Sequence, residues 1–134
     1  MILTNSSAAK VGGTNVTAIA SATASFRQLM CYLSTTISTA LTGTRGLIKN
    51  GAGQLTLSGT CNYTGPTQIN DGTLEVTAAS TLNGVISGSG TIRKTGTAIL
   101  TIGGNNTYAG GTSFVSGGIS GLILFTSSNA FGTG

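Results

Sequence analysis

The feature that most constrains this chain is a segment that returns 45 positions later. Residues 49 to 76 align without a gap on residues 94 to 121. Nine positions are identical: Lys49 and Lys94, Gly51 and Gly96, Leu55 and Leu100, Thr56 and Thr101, Gly59 and Gly104, Tyr63 and Tyr108, Gly65 and Gly110, Thr67 and Thr112, Gly72 and Gly117. Leu57 with Ile102, Ile69 with Phe114 and Leu74 with Ile119 stay apolar. Chance similarity in a chain rich in Gly and Thr would match small residues, but would not also keep Tyr, Leu and Lys in register. Internal duplication follows, and with it a repeat architecture.

Each copy reads as short strands separated by Gly-rich turns. Leu55-Thr56-Leu57 and Leu100-Thr101-Ile102 alternate apolar and polar, so each turns two apolar side chains to one face. Further strands are predicted at 67–70, 73–76, 91–93, 114–115 and 122–125. Strands this short are marginal as isolated ribbons and carry unpaired N–H and C=O groups. Stacking satisfies them if each 45-residue copy winds roughly two turns of a solenoid, with strands paired in parallel between turns and Leu, Ile and Val forming an inner column. On this reading Leu55, Leu57, Ile69 and Leu74 build a column that Leu100, Ile102, Phe114 and Ile119 extend.

Composition agrees. Charged residues are 6% of the 134, against roughly 25% in an ordinary soluble domain. The hydrophobic fraction of 39% and mean hydropathy of +0.31 argue against disorder despite 22 glycines. A single proline, Pro66, leaves nearly every backbone N–H free for a ladder. The length suits one domain's worth of core. The net charge of +4 comes from six scattered cations, which do not form the dense stripe that a nucleic-acid reader needs, so no nucleic acid is expected. No uninterrupted apolar run is long enough to cross a bilayer as a helix, so no membrane span is expected.

The stretch from Gly46 to Val76 resembles the autotransporter-associated β-strand repeat of bacterial autotransporter passengers, whose pattern runs K-x-G-x-G-x-L-x-L-x-G-x-x-x-Y-x-G-x-T-x-x-x-x-G-x-L. Lys49, Gly51, Gly53, Leu55, Leu57, Gly59, Tyr63, Gly65, Thr67, Gly72 and Leu74 fit it. The second copy keeps Lys94, Gly96, Leu100, Ile102, Gly104, Tyr108, Gly110, Thr112, Gly117 and Ile119, with Ala98 at the second glycine. Residues 128–134, SNAFGTG, resemble the segment that often follows such a repeat. The resemblance covers residues 46–134 and implies an all-β, right-handed parallel β-helix at a cell surface. An export signal and a translocator barrel, which such proteins carry, have no counterpart in the sequence.

Residues 1–45 lie outside the resemblance and read as an N-terminal arm. The domain reading is therefore 1–45 as arm and docking element and 46–134 as solenoid, with copies at 46–76 and 90–121 and a partial third at 122–134. Residues 1–15 lack periodicity and make a poor secretory signal, because Lys10 lies inside them and no uninterrupted apolar run follows. Apolar residues from Ile19 to Ile37 fall at helical spacings, which predicts a helix over 17–33 that caps the solenoid or presents Phe26, Leu29, Met30 and Leu33 to a partner. TTISTALTG, from Thr35 to Gly43, alternates like a first strand.

The inventory for chemistry is thin: no His, two carboxylates and two cysteines. Asp71 and Glu75 could be set up as the acid pair of a β-helical glycosidase, but their counterparts are Ser116 and Ser120, so they read as a turn Asp and a solvent-facing strand Glu. No metal cluster, phosphate loop or activated nucleophile is present in the pattern, and no cofactor is expected. Cys31 and Cys61 leave open one bridge or two small buried thiols. Tyr63 and Tyr108 read as packing residues at a turn, with sugar stacking as the alternative. Lys49 and Lys94 read as solvated charges that discourage edge pairing, with anion binding as the alternative.

The functional expectation is a non-catalytic structural surface protein. It would form a homo-oligomer or join a larger surface assembly, because a solenoid end must be covered and low charge leaves little repulsion. A start at Met1 without a signal favours a virion decoration or fibre component on the virion surface. The alternative is an excised passenger segment of a bacterial autotransporter acting in adhesion, for which a glycan or host-surface receptor would be the ligand class. A polysaccharide-acting β-helix enzyme is the third reading.

Overall fold

The computed structural model describes residues 9–10, 26–30, 34–115 and 121–134. The described chain is all-β and winds about four turns of a parallel solenoid with three walls. The strands are β1 (Ala9–Lys10), β2 (Phe26–Met30), β3 (Thr35–Ile37), β4 (Gly46–Asn50), β5 (Gln54–Leu57), β6 (Thr67–Ile69), β7 (Thr73–Val76), β8 (Ser80–Leu82), β9 (Ile86–Ser87), β10 (Thr91–Lys94), β11 (Leu100–Ile102), β12 (Thr112–Phe114) and β13 (Ile123–Phe125). The first wall stacks β1, β2, β4, β6 and β9; the second stacks β3, β5, β7, β10 and β12; the third stacks β8, β11 and β13. Short strands form here because each finds its main-chain partners one turn away.

The registers set the length of a turn. On the second wall Thr35 lies beside Leu55, Leu55 beside Leu74, Leu74 beside Ile92 and Ile92 beside Thr112, which are sequence steps of 20, 19, 18 and 20. On the third wall Leu100 lies beside Ser80 and Ile123, steps of 20 and 23. A 45-residue copy therefore spans two turns plus one wall. Lys49 stands on the first wall and Lys94 on the second, while Leu55 stands on the second and Leu100 on the third.

This corrects the column expected from the repeat. Leu74 and Ile92 stack on Leu55, and Val76 and Lys94 stack on Leu57; Leu100 and Ile102 belong to the third wall, over Ser80 and Leu82. Phe114 is half-exposed on the last strand of its sheet, and Ile119 lies outside the described residues. The interior is continuous all the same. Ile37, Leu47, Leu55, Leu57, Ile69, Leu74, Val76, Ile86, Ile92, Leu100 and Ile102 are fully buried in one cluster.

The helix predicted over 17–33 is also corrected. Phe26, Leu29 and Met30 lie on β2, whose five residues pair in parallel with Gly46–Asn50; Leu33, 17–25 and 31–32 lie outside the described residues. The apolar spacing there fits a helix, but the open edge of β4 offers a complete row of main-chain partners, and tertiary pairing overrides a weak local preference. The strand read from Thr35 forms as β3. Strands β8 and β9 are too short to show a period in the sequence.

Candidate functional site

The two matched lysines occupy the same kind of position. Lys49 follows Leu47 on the inward row of β4, and Lys94 follows Ile92 on the inward row of β10; both are fully buried. Their aliphatic stems fill the interior while the ammonium reaches the corner that ends the strand. Lys49 Nζ donates to the Gly51 carbonyl at 2.7 Å and to the Asp71 carbonyl, one turn on, at 2.8 Å. Lys94 Nζ donates to the carbonyls of Thr95 and Gly96, the latter at 3.1 Å. The expectation of solvated edge charges is thereby overturned: a buried ammonium is tolerated because corner carbonyls replace its water. Burial holds the Lys94 ammonium below its ordinary pKa of 10.5.

The corner itself needs glycine. Gly51 and Gly96 adopt φ of 83° and 74°, which an L side chain disfavours. Gly65 and Gly110 serve closeness between turns: a Cβ would stand 2.3 Å from the Gly46 nitrogen in the first case and 2.4 Å from the Gly90 oxygen in the second. Gly59 meets the Thr39 carbonyl in the same way. Gly72 and Gly104 also carry positive φ, and Gly117 lies outside the described residues.

Tyr63 and Tyr108 are buried, as their reading as packing residues requires. The Tyr63 hydroxyl lies 2.7 Å from Thr67 Oγ1, and Tyr108 repeats the pair with Thr112. Each pair joins a turn to the strand that follows, which explains why Tyr and Thr recur four residues apart. Burial raises the Tyr108 pKa above 10.0, and the Thr112 hydrogen bond offsets part of the rise.

The carboxylates are placed for structure. Asp71 Oδ1 accepts from the Gly72 amide at 2.7 Å, closing a turn. Glu75, on the outward row of β7, accepts from Gln54 Nε2 at 2.8 Å, Thr56 Oγ1 at 2.9 Å and Thr95 Oγ1 at 3.1 Å, with Arg93 Nε at 3.7 Å. It thereby ties β5, β7 and β10 together on their outer face. Cys61 is buried with its Sγ 3.3 Å from the Gly59 carbonyl; Cys31 lies outside the described residues.

Sequence reasoning misses the role of Asn106, the counterpart of Cys61. Its buried side chain accepts from the Ile86 amide at 2.7 Å and donates to the carbonyls of Gly103 at 3.0 Å and Ala130 at 2.7 Å, linking three successive turns. A polar residue at the place of a buried small one was the available signal.

Among the described residues, one end of the solenoid is apolar. Phe114, Val115, Leu122, Leu124, Phe125 and Phe131 are 41% to 59% exposed, and the Phe125 and Phe131 rings meet edge to face at 5.3 Å. At the other end the first inward residues of the second wall, Thr35 and Ile37, are buried.

Neither comparison, with curated proteins or with solved structures, gives a match. The sequence profile of the passenger-associated-transport-repeat family matches residues 47–76 and 92–119, in the same 45-residue register as the duplication and over the corners built on Lys49 and Lys94. Residues 47–76 and 92–119 thus match the passenger-associated-transport-repeat, and their described residues fold as consecutive parts of one β-solenoid.

Proposed function

We propose that this protein is a non-catalytic, structural solenoid segment of a secreted or surface-exposed passenger, serving as a rigid spacer that carries its flanking surfaces away from a cell. The observation behind this reading is the coincidence of the repeat match with a filled, parallel three-walled core. The recurring residues close corners and stack turns, and Glu75 already accepts three hydrogen bonds where a catalytic acid would have to face a substrate. An extracellular location follows from the passenger assignment. The virion decoration or fibre role expected from the sequence has no observation behind it, and the passenger reading takes its place. Adhesion, by a glycan or another receptor, would fall to surfaces the repeat holds in place.

The test is labelling of intact cells that express the gene in its native context, with an antibody raised against residues 46–134. Labelling without permeabilisation, abolished by external protease, is the expected result. Signal that appears only after permeabilisation would overturn the proposal. Asp71→Asn and Glu75→Gln should leave any polysaccharide turnover by the purified protein at background, as in the parent; activity in the parent that these changes abolish would restore the enzymatic reading.

A further inference from the structure

We infer that the corner at Asp71 and Gly72 is a self-modification site: it dehydrates to a succinimide and reopens as an isoaspartyl link, with Lys49 promoting the step. Asp71 is exposed and is followed by glycine, so no side chain shields the nitrogen of the peptide bond between them. Asp71 Oδ1 already lies 2.7 Å from that nitrogen, which holds the carboxyl beside the atom that must attack it. The fold fixes glycine at this place: its φ is 68°, and a Cβ would stand 2.4 Å from the Gly53 oxygen.

The other half of the site comes from inside the solenoid. Lys49 Nζ donates at 2.8 Å to the main-chain oxygen of Asp71, the carbonyl of the same peptide bond whose nitrogen is the nucleophile. To attack, that nitrogen must give up its proton, and the negative charge that develops is shared with this oxygen through amide resonance. A fully buried ammonium at the oxygen, where water does not screen it, stabilises that charge. The same donor serves the oxyanion formed when water later enters the ring at this carbonyl.

The step balances without an outside reagent. The Gly72 nitrogen bonds to Asp71 Cγ and the Cγ–OH bond breaks, so that the hydroxyl leaves with the amide proton as one water. Water then adds to the main-chain carbonyl carbon, and the bond from that carbon to nitrogen breaks. Gly72 is now joined through the side-chain carbonyl, and a free α-carboxylate faces Lys49. This product sets a carboxylate against the buried ammonium in place of a neutral carbonyl, a charge-assisted pair that favours opening in this direction. The chain gains one methylene at the corner between β6 and β7. At the matching place in the other copy stands Ser116, which has no carboxyl, so the chemistry is confined to one of the two corners. The inference rests on the corner and on no cellular location; failure of the antibody test would leave it standing.

The experiment holds the purified full chain for weeks in mildly acidic buffer, folded or in urea, and follows the peptide that spans Asp71 by mass spectrometry, with fragmentation to place the change. A species lighter by one water should form, then one of unchanged mass that resists cleavage before residue 71 by an aspartate-specific protease. Both should accumulate at least about threefold faster in the folded protein than in urea. Lys49→Met, checked as folded by circular dichroism, should slow the folded-state reaction at least about fivefold and leave the rate in urea unchanged. Asp71→Ala should lose the dehydrated species at this place. A folded rate equal to or below the rate in urea would overturn the inference, as would an undiminished rate in folded Lys49→Met. If Lys49→Met does not fold, the comparison of folded and unfolded parent decides alone.

Discussion

Lys49→Met would keep an unbranched stem in the core while leaving the Gly51 and Asp71 carbonyls without their ammonium donor. We expect a loss of about 2–3 kcal/mol in urea unfolding, the scale of charge-assisted bonds to groups that remain buried. Lys94 and Tyr108 give the alkaline range its shape. The unfolded ammonium keeps its proton up to about 10.5 while burial makes the folded Lys94 release it earlier, so its contribution to stability rises as pH climbs toward 10.5. Tyr108 works in reverse: the unfolded phenol ionises near 10.0 and the folded one later, so its contribution is full below pH 10 and falls above it. Melting temperatures between pH 8 and 11 should therefore decline less steeply in Tyr108→Phe than in the parent, and more steeply in Lys94→Met. The recurrence of these residues was legible in the sequence, but their burial was not. A lysine two residues before a glycine looks solvated until the strand's inward row is known.

Among the strands, position in the stack decides cost. Leu74 is fully buried between Leu55 and Ile92, so Leu74→Ala should lose about 2–5 kcal/mol through lost transfer energy and a residual cavity. Leu124, on the outward row of β13 and 45% exposed, should tolerate the same change within about 0.5 kcal/mol. Gly110→Ala, which would set a methyl 2.4 Å from the Gly90 oxygen, should cost about 1–3 kcal/mol or prevent folding, read from chemical denaturation and from soluble yield. Strands at β5, β7, β10 and β11 were legible because their alternation is regular. β2 was not, because its apolar spacing suits a helix and only the ladder with β4 selects the extended form.

For the molecule as a whole, a stack of turns that contact only their neighbours should show graded stability. Among the described residues, hydrogen exchange on the second wall should be slower in β5, β7 and β10, which are paired on both sides, than in β3 and β12, which end that sheet; uniform protection across the second wall would contradict this. By itself the sequence determined that the chain is a β-solenoid of duplicated units and which residues recur, because identity at fixed spacing survives without any knowledge of contacts. The tertiary structure alone decided the winding. Because the duplication outruns two turns of the three-walled spiral, each copy is rotated by one wall, so residues matched in sequence do not stack on one another in space. The physical reason is that sequence identity records the local job of a residue, closing a corner or linking a turn to a strand, whereas stacking asks only for an inward apolar side chain, which many residues supply.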